Sequence, residues 1–384
     1  MSDQRSTATL DVVCHYRTPA KVPLLHHAVL PAVRDVDRTE LRLHVERHWL
    51  HGPHVRIRVT GGESAVRVAT AELAAALRAY LAVHPSRETV DEAELLRQCV
   101  TAGRAELVHG PYEPIAADNT VLITPAADGH VRDLLGSAAA VACRADLLRA
   151  GLAPVSTTVA DLEACGNHAP RRVRLALTAM AVHAAAYPAG YGAGYNSFLS
   201  HLEDFLHLRD PDGRIRAGFR RTFERQADRI VADVARLVEP GAGGSDPVAE
   251  AWRGWETTAW AVTRAAHGRG EIAVIPGDQY ARRARTIDDP ATARQWDPNR
   301  RIDFSPYHQA LNRVGFLSMA AVRDDFGPYR FSTNVLYLLL ALCDVSPGER
   351  YLAAYLFSEA VQRLTGVTWQ DAMRPYLDAT EVRS

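Results

Sequence analysis

The sequence predicts a fold with a small antiparallel sheet near its amino end and a large helical portion flanking and following it. Two observations carry this. Leu41 to His48 and His54 to Val59 each alternate apolar and polar residues, the period-two signature of strands, with the break Leu50-His51-Gly52-Pro53 between them. Beyond about residue 64 the apolar spacing changes to the helical period and keeps it through most of the chain.

Thr9 to Cys14 reads as a first strand, and the two alternating segments as an antiparallel hairpin. On His54-Val55-Arg56-Ile57-Arg58-Val59, the residues His54, Arg56 and Arg58 share one face, while Val55, Ile57 and Val59 share the other. If the hairpin pairs in register, Arg42, His44, Glu46 and His48 join them on one His/Arg-dense face. Such a face either grips an anion or polarised carbonyl or is the solvated side of an amphipathic strand, and the segment alone leaves both open.

Helices follow at Ser64 to Val83 and Thr89 to Ala102, separated by His84-Pro85-Ser86. Thr120 to Thr124 is a short strand. From Gly129 the chain turns helical through Val131–Ala150, Val159–Cys165 and Arg171–Ala186, with a soft internal boundary near residue 150. Ala189 to Asn196 is Gly-rich and opens a helix, Ser197 to His207. A phosphate cradle is one reading of that loop, but no Gly-Lys-Ser/Thr follows, and flexibility beside Tyr191 and Tyr195 is the other. Ser197, Ser200, His201 and Asp204 form one polar stripe on the helix, facing either solvent or a pocket.

Arg220 to Val238 reads as a long charged helix, Pro240 to Ser245 as a flexible connector, and the segment with Trp252, Trp255 and Trp260 as a further packed helix. Glu271 to Pro276 reads as a late strand. Ser305 suits an N-cap and Pro306 a first helical position, which places His308 and Asn312 one turn apart with Arg313 adjacent. A histidine near a helix amino end is disfavoured in its charged form, so His308 is a candidate base or a surface residue. Arg330 to Tyr337 and Ser346 to about Leu364 read as apolar closing helices, with Asn334 the polar residue to watch.

The totals limit the function classes. With 384 residues, 47% hydrophobic and 23% charged, the chain suits one large domain or two ordinary ones. The 44 basic and 45 acidic residues leave a formal charge of −1, so no bulk field attracts nucleic acid or an anionic membrane. Lys21 is the one lysine, which argues against Schiff-base chemistry elsewhere. The five cysteines are scattered without a Cys-x-x-Cys pair, as in reduced proteins without a zinc site or disulfide framework. The amino terminus shows no signal core, and Val335 to Cys343 is too short to span a bilayer, so a cytoplasmic location is expected.

Taken in order, His-Val-Arg-Ile-Arg-Val at 54–59, Ser-Phe-Leu-Ser-His at 197–201, His-x-x-x-Asn-Arg at 308–313 and Asn334 with Ser346-Pro347-Gly348-Glu349-Arg350 resemble the carboxy-terminal domain of class I lantibiotic dehydratases. Free-standing versions are thiopeptide-type bacteriocin biosynthesis proteins. The resemblance covers most of the chain and implies a single domain over 1–384 of α+β fold, whose sheet carries the arginine strand and whose helices complete a pocket. A mixed part, 1–150, and a mainly helical part, 151–384, lie within it.

The family holds two chemistries. Eliminases turn glutamylated Ser or Thr of a precursor peptide into dehydroalanine or dehydrobutyrine. Pyridine synthases join two dehydroalanines in a formal [4+2] aza-cycloaddition, then lose water and the leader peptide. Eliminases usually carry an Arg-Tyr-Gly-Gly-like segment after the arginine strand, whereas here Glu106 to Pro114 stands in that region, and extra helical material follows from about Gly190 to Gly270. Both departures favour the pyridine synthase over the eliminase. A non-catalytic leader-binding partner, its arginines gripping an acidic leader, is the third alternative.

The expected partner is therefore a ribosomally made precursor peptide, leader plus dehydrated core, with no nucleic acid or membrane; the oligomeric state is left open. No metal or redox cofactor is implied. The expected catalytic residues are Arg56, Arg58, Ser197, His201, Tyr280 and His308. Arg56, Arg58 or Tyr280 would stabilise charge on oxygen, and His201 or His308 would move protons. His54, Tyr195, Ser200, Asp204, Asn312 and Arg313 are the expected substrate-binding residues.

Overall fold

The computed structural model describes residues 7–127, 129–239, 246–273, 278–287, 289–297, 300–316 and 320–381. By internal contacts the chain divides into two compact units that alternate along the sequence. The first comprises Met1–Asn167, Pro276–Arg301 and Tyr337–Asp344; the second comprises His168–Ile275, Ile302–Leu336 and Val345–Ser384.

The first unit is built on a four-stranded antiparallel sheet: β1 (Thr7–His15), β2 (Arg42–His48), β3 (His54–Gly62) and β4 (Thr120–Pro125), in the order β2-β3-β1-β4. The expected hairpin is β2-β3, in the register Leu43↔Val59, Val45↔Ile57 and Arg47↔Val55. Alternation thus delivers Val12, Cys14, Leu43, Val45, Val55, Ile57 and Val59 to one buried face. Helix Glu63–Val83 lies over β1, β3 and β4 and buries the stripe Val66, Ala69, Leu73, Leu77 and Leu81 at the helical period. Burying these side chains is the main stabilising term here, about 1.5–3 kcal/mol for each large aliphatic group.

Asp344 clasps this unit. Its carboxylate accepts from the backbone N–H of Lys21 (2.8 Å) and Val22 (2.9 Å), from Arg47 (2.8 Å) and from Asn167 Nδ2 (2.8 Å). Lys21 itself is fully buried and donates from Nζ to the carbonyl of Tyr16 at 2.6 Å. Burial, reinforced by Arg47, pushes its ammonium down to about 7.

Among its described residues the regular elements of the second unit are all helices. Helix Ala169–Ala185 is buried from Val173 to Ala184 apart from Arg174, and packs with Pro347–Thr365, Ala227–Val238 and Pro247–Gly268. Ser346 opens Pro347–Thr365 with a reciprocal capping box to Glu349, whose carboxylate also pairs with Arg172 at 2.7 Å. Trp252 and Trp255 are core residues in edge-to-face contact, as their spacing implied.

The α+β expectation holds: an antiparallel sheet carries the arginine strand and helices make up most of the rest. Several boundaries differ. Val131–Ala150 is two helices, Gly129–Leu135 and Ala138–Ala150, because Gly136 takes φ +82° and Ser137 caps the second through the N–H of Ala140. Arg220–Val238 is likewise split into Arg214–Glu224 and Ala227–Val238. The expected strand at Glu271–Pro276 does not form over its described residues, Glu271 to Ala273, which have no strand partner. Its remainder and the connector Pro240–Ser245 lie outside the described residues.

Candidate active site

On the polar face of the sheet, cross-strand register sets His44 and Asp11 beside Arg58, Glu46 beside Arg56, and His48 and His15 beside His54. The β3 residues of this face are buried, although Arg42 at the start of β2 is exposed: His54, Arg56 and Arg58 are each at most 8% exposed, which removes the reading of a water-facing basic strand. The guanidiniums are matched to carboxylates instead. Arg58 makes a bidentate pair with Asp11 (Nε 2.7 Å, Nη2 2.8 Å), and Arg56 donates to Glu46 at 2.6 Å, an acceptor that Arg144 from helix Ala138–Ala150 shares. Burial alone would raise the Glu46 carboxyl, but Arg144 and Arg56 outweigh it and hold it well below the usual carboxylate range.

The imidazoles on this face are held neutral. His54 is pushed down to about 3 by burial and by His15; His15 falls to about 4, chiefly through burial. His130, edge-on to His48 at 6.0 Å, falls to about 4 through burial and Arg56. Tyr280 belongs to the same unit, where it stacks on Trp296 at 5.5 Å against Leu107, Ala284 and Ile287; its ring serves that packing.

A pocket of about 410 Å³ opens in the second unit. Helix Asn196–Arg209 supplies Asn196, Ser197, Ser200 and His201 to its wall, and helix Pro306–Arg313 supplies Tyr307, His308, Leu311 and Asn312. Phe316, Phe326, Arg330 and Thr333 complete it. The two helices are tied by Tyr307, whose hydroxyl donates to Asn196 Oδ1 at 3.0 Å, while Asn196 Nδ2 donates to the carbonyl of Ala193. This geometry starts from a close approach: a Cβ on Gly194 would lie 2.5 Å from the carbonyl oxygen and 2.9 Å from the Cα of Ala184, so glycine alone fits there. The Gly-rich loop thus includes a packing position as well as a flexible entry, with Gly190 at φ +76°.

Within the pocket, the His308 ring lies between two serine hydroxyls. Its Nε2 lies 2.9 Å from Ser200 Oγ and its Nδ1 2.7 Å from Ser305 Oγ. Ser305 is fully buried and also caps its helix, accepting from the His308 N–H at 3.3 Å, so the N-cap that positions the helix also orients the ring. A ring with Nδ1–H on Ser305 presents the Nε2 lone pair to the Ser200 hydroxyl; the opposite tautomer presents an N–H. The hydroxyl–imidazole–hydroxyl chain can therefore give or take a proton at the pocket wall. Beside it His201 is pushed down to about 4, by burial first and then by Arg350 and Arg330, which keeps it neutral.

Of the expected residues, the structure thus gathers Ser197, Ser200, His201, His308 and Asn312 around one pocket. Tyr195 is buried, with its phenol pushed up to about 12 by burial; Asp204 is half-buried and Arg313 exposed, and none of the three lines the pocket. Ser305, Arg330 and Thr333 were not singled out as functional from the sequence. Ser305 was legible as a cap, and its spacing of three from His308 was the available signal.

No family model matches the sequence, and a search of curated proteins gives no match. Solved structures do match. TsrL superposes with a TM-score of 0.61 over 97% of this chain and 98% of its own, at 19% identity. The pyridine synthase TbtD, from thiomuracin biosynthesis, superposes with a TM-score of 0.68 over 94% of this chain and 99% of its own, also at 19% identity, so this chain shares its fold over nearly its whole length.

Proposed function

We propose that this chain matures a ribosomally made thiopeptide precursor by forming a pyridine ring. It would join two dehydroalanines in a formal [4+2] aza-cycloaddition and then release water and the leader peptide. The observation that carries the reading is the pocket in which Ser200, His308 and Ser305 form one proton-transfer chain, in a fold shared end to end with a pyridine synthase.

The reaction asks for proton movement and positioning more than for strong electrophiles. One backbone amide must pass its N–H proton to its own oxygen to become the imidic acid. His308 Nε2, through Ser200, takes the first proton and returns it to the oxygen. After ring closure the hydroxyl leaves as water on gaining a proton, and the leader leaves as a carboxamide on gaining another. Asn312 offers an amide donor and acceptor to the peptide backbone, and Leu311, Phe316 and Phe326 offer apolar surface to the alkenes.

The pairing of Arg56 with Glu46 and of Arg58 with Asp11 supports this reading over glutamate elimination, because guanidiniums already held by buried carboxylates are poorly placed to clamp a glutamyl carboxylate. It equally disfavours a binding partner that grips an acidic leader through these arginines. Mass spectrometry of a precursor peptide tests the proposal. A dehydroalanine-containing peptide should yield the cyclised core and the intact leader as a carboxamide. Loss of glutamate from a glutamylated peptide, with the dehydrated one untouched, would replace the proposal with elimination; no mass change in either would leave a binding protein.

A further inference from the structure

We infer that Thr333, His183 and Glu256 form a second proton-transfer unit of the second unit's pocket, with the Thr333 hydroxyl as its working end. His183 is fully buried in the last turn of helix Ala169–Ala185; its Nε2 lies 2.8 Å from Thr333 Oγ1 and its Nδ1 2.7 Å from Glu256 Oε1. Tyr329 stacks on the imidazole at 4.3 Å with 11° between planes, and itself donates from its hydroxyl to the carbonyl of Gly194 at 2.9 Å, so the ring is fixed. Thr333 lines the pocket while Glu256 and His183 lie behind it.

The proton arrangement follows from burial. Glu256 is 3% exposed, and its Oε2 has no partner among the described residues, so the imidazole is the group that satisfies the carboxylate. A proton on Nδ1, donated to Oε1, gives the buried carboxylate a hydrogen bond it would otherwise lack. The Nε2 lone pair then faces the threonine hydroxyl, as in a hydroxyl–imidazole–carboxylate triad. Thr333 Oγ1 also lies 2.8 Å from the carbonyl of Tyr329, one helical turn earlier, so its proton has two acceptors in reach and one of them is a base.

Proton balance is simple. A group in the pocket that gives up a proton passes it to Thr333 Oγ1 as the threonine proton moves to His183 Nε2; the resulting imidazolium is stabilised by the Glu256 carboxylate. The reverse transfer returns a proton to a leaving group. Resting on the ring-forming reading, the pocket would hold two such chains, one ending at Ser200 and one at Thr333, suited to taking a proton on one side of the substrate and giving one on the other.

Two measurements test this. Histidine-selective nitrogen NMR of the whole protein should show His183 protonated at Nδ1 and unprotonated at Nε2 at neutral pH, a readout independent of substrate; a ring carrying its proton on Nε2 overturns the inference. With the dehydrated precursor, Thr333→Val should lower kcat by about 10²–10⁴-fold with little change in KM or melting temperature, and Thr333→Ser should restore most of it. A well-folded Thr333→Val enzyme turning over at the wild-type rate overturns the relay. A wild-type protein inactive on every precursor condemns the proposed function instead, and the NMR result still decides the proton arrangement.

Discussion

Ser200 Oγ and His308 Nε2 stand 2.9 Å apart although 108 residues separate them in the chain. Neither is placed by chance of side-chain reach: Tyr307 locks its helix to Asn196, and Ser305 locks the imidazole from the other side. The pair's value is its fixed geometry, since a proton donor and acceptor already in contact need no reorganisation when substrate arrives.

His308→Ala and Ser200→Ala should each lower kcat for precursor cyclisation by about 10²–10⁴-fold while leaving KM within a few fold. Ser305→Ala should act through the ring's orientation and lose less rate, with about 1 kcal/mol of stability lost along with the cap. Single-turnover mass spectrometry reads the first and urea unfolding the second. Wild-type rates in both His308→Ala and Ser200→Ala would remove this pair from the chemistry.

Arg58 and Asp11 form a buried bidentate pair, so removing either partner strands the other charge. Arg58→Leu or Asp11→Ala should cost about 3–5 kcal/mol, and the double apolar replacement should recover much of that loss. Denaturant titration of the three variants checks it. Single replacements that cost under about 1 kcal/mol would mean that the face is wetter than its burial indicates.

Stability should fall with acidity in a defined window. The unfolded chain titrates its histidines near 6.5, whereas His15 and His130 in the first unit and His201 in the second are held at about 4, and His54 at about 3, chiefly by burial. Between these values the unfolded chain binds more protons than the folded one. The histidine contribution to stability is therefore complete above about pH 6.5 and declines as pH drops towards 4. Below the ordinary carboxylate value of 4.5, Glu46 adds a further loss as its depressed carboxyl approaches protonation. Urea midpoints taken from pH 7.5 to pH 4 read this out, and a flat profile would contradict the neutral imidazole cluster.

The glycines of the entry loop should separate by role. Gly194→Ala forces a Cβ onto the Ala184 backbone and should cost about 1–3 kcal/mol, displacing the start of the serine-bearing helix and lowering activity. Gly192→Ala meets Thr365 Cγ2 at an ordinary 3.5 Å and should be silent in both thermal melting and turnover.

The sequence carried the sheet hairpin and its polar face well, because side-chain alternation is a local property of β2 and β3. It did not carry the partners of that face. Asp11 reaches Arg58 only through the β1–β3 pairing, and Arg144 arrives from a helix about a hundred residues later, so a row of bare arginines turned out to be an ion-pair lattice. Helix joints at Gly136 and Gln226 were lost because the apolar period runs across both breaks.

In the second unit the stripe on Asn196–Arg209 and the His308 motif were each legible; their meeting was not, since nothing local specifies a hydrogen bond across 108 residues. His183 gave no signal at all. It sits in an Ala-rich helix whose periodicity marks only packing, and its chemistry depends on Glu256 and Thr333, which lie 73 and 150 residues further on.

The Asp344 clasp joins segments of the first unit that stand far apart in the sequence. As the chain emerges from its amino end, β1 to β4 and their helices are complete by Asn167, yet the carboxylate that joins Asn167 to the Lys21 and Val22 amides arrives 177 residues later. Without Asp344 the Lys21 and Val22 amides and the Arg47 guanidinium would lose this shared acceptor. Removing the Asp344 carboxylate should therefore loosen contacts that lie far from it in the chain, at Lys21, Val22, Arg47 and Asn167 together.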